Sequence, residues 1–156
     1  MRTSMRVAIL VSMALTALLA VLLVFLTLRV ETLIEVLLTV ARFLIGGTEA
    51  TAETHTILRI LAYLMSAAAF AALAGLFLLL GTVLHGQVFS RKTLGCLLTV
   101  ALCCFAEAAL MLVTGRYFLT SYLAAAIFLF IGLCLTVVRT VIAEAMRIKQ
   151  ENDLTV

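Results

Sequence analysis

The fold class this sequence predicts is an all-α integral membrane bundle: four transmembrane helices, an outer interfacial helix and a cytoplasmic C-terminal helix extension. Long uncharged runs predict the spans, basic residues at their ends mark where each run meets water, and the composition does not suit a soluble core. Of 156 residues, 65% are hydrophobic and 12% charged, and the mean hydropathy is +1.29. Soluble domains carry roughly 25% charged residues. One soluble core at this chain length cannot hide so much apolar surface, whereas lipid can take the place of a core. Residues 1–156 are therefore read as a single membrane domain.

The first span runs from Val7 to Leu28 between Arg6 and Arg29, 22 residues without a charge, or about 33 Å of helix. The second runs from Ile60 to His85, after Arg59. The third covers Leu94 to Gly115, between Lys92 and Arg116, and holds one charge. The fourth covers Tyr117 to Val138 and stops at Arg139. Each is long enough to cross a hydrocarbon core of about 30 Å. Helices satisfy their own backbone groups in lipid, and the alternation of barrel strands is absent. A signal peptide is the competing reading of the first run, given Arg2 and Arg6 before it. Its apolar stretch exceeds the usual length of roughly 7–15 residues, and no A-x-A cleavage pattern follows, so it is read as a retained anchor.

Residues 30–46 form the interfacial segment. Leu33, Leu37, Val40 and Leu44 recur at helical spacing with Ile34, Leu38 and Ala41 alongside, and Glu31, Glu35 and Arg42 fall largely off that stripe. Such a helix lies in an interface. Gly46-Gly47 would end it. The polar stretch from Thr48 to Thr56 reads as solvated and as a start for the second membrane helix. The segment is either a plain connector or a ligand-sensing surface, and no residue names a ligand.

Lys and Arg counts set the expected orientation. With both termini inside, the inner segments hold Arg2, Arg6, Arg91, Lys92, Arg139, Arg147 and Lys149, and the outer segments hold Arg29, Arg42, Arg59 and Arg116. Seven against four favours cytoplasmic termini.

Within the spans, Ala67, Ala71 and Gly75, and likewise Ala68 and Ala72, form seams of small residues, and Ala124 to Ala126 give the fourth helix a thin patch. Small residues let helices approach closely in lipid, so all are expected to pack into one bundle. Homo-oligomerisation is compatible with the same seams. Glu107 is the one ionisable residue deep in a span. A charge there costs about 2.5–3.5 kcal/mol on insertion scales, so it is expected to be neutral, buried and in polar company. Tyr63, Ser66, Ser121 and Tyr122 lie at similar depth. It is either a hydrogen-bonded packing residue or part of a proton or cation relay, and no second intramembrane charge accompanies it.

The sequence offers no chemistry for an enzyme. There is no G-x-S-x-G, H-E-x-x-H or P-loop. Cys96, Cys103, Cys104 and Cys134 all lie within spans, without C-x-x-C or paired His, so neither a zinc site nor a disulfide is implied. His55 and His85 fall at opposite membrane faces and cannot share a metal. No cofactor or metal site is expected. A net charge of +3, scattered without a basic stripe, does not imply direct nucleic-acid binding.

Beyond Arg139 the chain continues as a tail, residues 139–156. Val141, Ile142, Ala145, Met146 and Ile148 read mostly as one helical face, with Glu144, Arg147, Gln150 and Glu151 around the rest. Glu144–Arg147 and Arg147–Glu151 stand at i,i+3 and i,i+4, worth about 0.2–0.5 kcal/mol each. From Asp153 the end is expected to be extended. Such an end frays in solvent or adds a strand to a partner's sheet or fills its groove.

Ala145, Lys149, Glu151, Asn152, Asp153, Leu154, Thr155 and Val156 resemble the closing A-x-x-x-K-x-E-N-D-L-T-hydrophobic signature of the bacterial membrane family called domain of unknown function 2975. Gly86-Gln87-Val88-Phe89-Ser90 is similar to its G-x-x-F-S/T motif, and Lys92 stands where the family has a small polar residue such as Asn. The resemblance implies a multi-pass bacterial plasma-membrane protein, often encoded beside a small helix-turn-helix transcription regulator, and no enzymatic activity. The expected function is regulatory. Gly86, Phe89, Ser90, Glu151, Asn152, Asp153, Leu154, Thr155 and Val156 would form the surface that holds such a regulator. The alternative is a small oligomeric transporter or channel using Glu107.

Overall fold

The computed structural model describes residues 3–45, 52–84 and 90–153. They form five helices: α1 (Thr3–Leu28), α2 (Val30–Ile45), α3 (Ala52–Leu84), α4 (Arg91–Thr114) and α5 (Thr120–Asp153). Among the described residues, α1, α3, α4 and α5 are each long and apolar enough to cross a membrane. Their outward surfaces are apolar, as lipid requires: Leu18, Val21, Leu123 and Phe130 are all well exposed.

Hydropathy marks the lipid-facing length of each helix, not its ends. α3 begins eight residues before the expected Ile60, because Glu53, Thr54, His55 and Thr56 are helical although too polar for lipid. α5 begins at Thr120 and not at Tyr117. The apolar Tyr117 and Phe118 instead sit in a hydrogen-bonded turn after α4, with Tyr117 N–H donating to the Thr114 carbonyl at 2.9 Å and Ser121 N–H to that of Phe118 at 3.0 Å. α5 then runs unbroken through the expected tail, so Asp153 is helical where an extended chain was expected.

Packing is serial. α1 rests on α3, α3 on α4 and α4 on α5, while α2 touches α1 and α3. α4 is the most enclosed span. Thr93, Leu97, Ala101, Cys104 and Ala108 lie three or four residues apart along it and are buried. Two glycines mark its closest neighbours. A Cβ on Gly75 of α3 would come 2.9 Å from Val100, and one on Gly132 of α5 would come 2.9 Å from the Phe105 ring.

The small-residue seam of α3 contributes less to this packing than its spacing predicts. Ala67 and Ala71 are exposed, and only Gly75 of that seam is buried in close contact. Among the described residues α3 and α5 make no close backbone approach, and each packs on α4.

α2 caps one end of this layer. Val30 and Ile34 bury against Leu58 of α3, with Leu38, Ala62, Tyr117 and Phe118 around them. Leu33, Leu37 and Val40 remain exposed. The helix therefore has two apolar edges, one packed on α3 and one exposed, whose Leu33 and Leu37 also line a cavity. An exposed ion pair, Arg59 to Glu31 at 3.1 Å, ties α2 to α3.

Candidate functional site

At the other end of the layer, Ser90 starts α4. Its backbone is extended (φ −126°, ψ 152°), and its hydroxyl accepts a hydrogen bond from the Thr93 amide at 3.3 Å. That is an N-cap, which satisfies one of the first amides of a helix. Thr93 is 2% exposed. Its hydroxyl lies 3.2 Å from that of Ser90 and 3.4 Å from that of Thr82 in the last turn of α3. The final position of the G-x-x-F-S/T motif is thereby a helix start that is also locked to the preceding helix. Ser90→Ala is expected to lower stability by about 1 kcal/mol, and Ser90→Thr to keep most of it. Thermal unfolding in detergent measures the difference. The preceding Gly86 and Phe89, and His85, lie outside the described residues.

The α5 extension emerges at this same end. α5 has 34 residues and its packed neighbour α4 has 24, so α5 outruns α4 by about 15 Å. The anticipated ion pairs are present: Arg147 to Glu144 at 3.0 Å and to Glu151 at 3.6 Å. All three side chains are well exposed, so each pair adds little, but both favour helix through the motif.

The single apolar face expected here is split. Ile142, Ala145 and Met146 are half-buried, whereas Val141 and Ile148 are exposed. Val141 and Ile148 are seven residues apart, two helical turns, and share an edge with Glu144 and Glu151. Asn152 and Asp153 occupy the last helical turn. Leu154, Thr155 and Val156 lie outside the described residues. The described part of the proposed partner surface, Ser90 and residues 151–153, is thus at one end of the layer, and Ser90 already has a capping role there.

Glu107 lies elsewhere. It is on α4, 6% exposed, and lines two cavities of about 420 Å³ each. Ser66, Thr114, Thr120 and Ser121 line the first of these with it. Of the polar residues expected at its depth, Ser66 and Ser121 line this cavity, while Tyr63 and Tyr122 are exposed. Cys103 and Cys104 line the second cavity with Glu107. Their three- and four-residue spacing to Glu107 puts them on its face, a signal that sequence reasoning passed over.

No curated protein and no solved structure is recognisably similar to the chain. The family described as "Protein of unknown function (DUF2975)" matches residues 39–156, from the second half of α2 through the terminal motif, and the chain belongs to that family.

Proposed function

We propose that this is a non-enzymatic regulatory protein of the bacterial plasma membrane, and that its α5 extension and terminal motif hold a small cytoplasmic helix-turn-helix regulator. The observation that carries this reading is the length of α5: it outruns its packed neighbour α4 and carries Val141 and Ile148 exposed on one edge with Glu144 and Glu151. An amphipathic helix that leaves lipid is suited to a groove on a soluble partner. Co-purification of the co-expressed regulator with the intact chain, and its loss with Leu154→Asp, tests the reading. Capture unchanged by that substitution turns attention to Gly86–Ser90.

The reading requires both termini in the cytoplasm, as the Lys and Arg bias favours. A cysteine placed at Thr51 should label from outside intact cells, and one at Thr155 only after permeabilisation. The reverse pattern removes the regulator from reach of α5.

A second reading, proton or cation passage through a small oligomer, is favoured by the burial of Glu107 beside two cavities. Proton-coupled flux into liposomes, lost in Glu107→Gln, would support it.

A further inference from the structure

The serial packing leaves a gap. Among the described residues, α1 makes no close backbone approach to α4 or α5. The gap remains as the two cavities, which share Leu23, Leu26, Ala69, Glu107 and Phe128 in their walls. Glu107 is the acidic side chain at their junction. Its carboxyl group makes no hydrogen bond and no ion pair among the described residues, although the residue is only 6% exposed. A carboxyl group set in a largely apolar cavity carries a desolvation cost that a ligand can offset.

The rest of the lining defines that ligand. Among the described residues no Lys, Arg or His lines either cavity, so an anion would meet no countercharge there and would face Glu107 itself. The hydroxyls of Ser66 and Thr114 already donate to their own helices, to the Ala62 carbonyl at 2.9 Å and the Leu110 carbonyl at 2.9 Å. What they have left to offer is lone pairs. The Glu107 carboxyl group shares the wall of the first cavity with the hydroxyl-bearing Ser66, Thr114, Thr120 and Ser121, and a carboxylate calls for a hydrogen-bond donor. The remaining wall is aliphatic and aromatic, which calls for an apolar body. About 420 Å³ falls in the range of small-molecule sites.

We propose that the paired cavities bind a small monocationic amphiphile of the alkylamine class, its ammonium group at Glu107 and its hydrocarbon chain along Leu23, Leu26 and Phe128. A charge-assisted hydrogen bond from ammonium to carboxylate replaces the missing partner. Burying an ion pair gives no net gain unless the remaining N–H donors also find acceptors, and the other polar side chains of the first cavity are Ser66, Thr114, Thr120 and Ser121. This assignment rests neither on the α5 reading nor on flux, since it concerns occupancy of the cavities alone.

The test uses the full chain in phosphatidylcholine nanodiscs, with octylamine as probe and 1-octanol and octanoate as neutral and anionic counterparts. Octylamine is expected to raise the unfolding temperature saturably, and the other two are not. Glu107→Gln should weaken octylamine binding by at least about tenfold, or about 1.4 kcal/mol. Ala69→Phe, which fills the shared wall but keeps the carboxyl group, should weaken it likewise. In the unmutated protein, dicyclohexylcarbodiimide should modify Glu107, and octylamine but not octanol should protect it. That result decides the matter even if a variant does not fold. Equal protection by octanol, octylamine binding within about twofold in Glu107→Gln, or no modification of Glu107 at all would overturn the proposal.

Discussion

Glu107→Lys is expected to abolish accumulation of the folded protein in membranes, while Glu107→Gln leaves it close to the natural level. Glu107 is 6% exposed on the most enclosed helix, and among the described residues no other charged side chain lines the cavities beside it. Gln keeps the size and much of the hydrogen-bonding capacity of a neutral carboxyl group. Lys brings a longer side chain and a charge, at a cost of about 2.5–3.5 kcal/mol near a helix centre, and it meets only aliphatic walls and hydroxyls. Quantification of the membrane fraction and a size-exclusion profile in detergent separate the two outcomes. If Gln were as damaging as Lys, the ionised form of Glu107 would be what matters, and the flux reading would gain.

The spans were legible because lipid acts on every position of a crossing helix. A run such as Val7–Leu28 therefore declares itself without any knowledge of its neighbours. The ends were less legible, for opposite reasons at two places. Glu53 to Thr56 are polar yet helical, since a helix does not stop where lipid does. Tyr117 and Phe118 are apolar yet not helical, since their burial comes from α2 and α3 and not from lipid. The depth of Glu107 could be read directly, but its cavities could not, because they arise from an approach that α1 does not make to α4 and α5. Ser90 belonged to a recognisable motif, and only the backbone around it shows that its hydroxyl caps α4. The periodicity of the tail was visible. Its division into a half-buried edge at Ile142 and Met146 and an exposed edge at Val141 and Ile148 depends on tertiary packing, which no local pattern encodes.

Removal of residues 151–156 is expected to abolish capture of the cytoplasmic regulator without displacing the protein from the membrane, and to change expression of that regulator's target genes. The four spans lie N-terminal to this cut, apart from the last residue of the fourth, so insertion should be unaffected. The cut does remove the Arg147–Glu151 pair. That exposed pair contributes only about 0.2–0.5 kcal/mol, too little to unfold α5. A loss of capture would therefore reflect missing contacts and not a missing helix. Ile148→Asp, which keeps the motif but places a third carboxylate on the exposed edge between Glu144 and Glu151, should weaken capture as well. The two variants together distinguish a surface that uses the helix edge from one that uses the motif alone.

Affinity capture from native membranes, comparing the intact chain with one truncated after Gln150, tests the central claim most directly. The account predicts that a soluble helix-turn-helix regulator co-purifies with the intact chain and is reduced at least about tenfold, or about 1.4 kcal/mol, with the truncated chain at equal membrane abundance. Recovery of the same soluble proteins in the same amounts from both would contradict it.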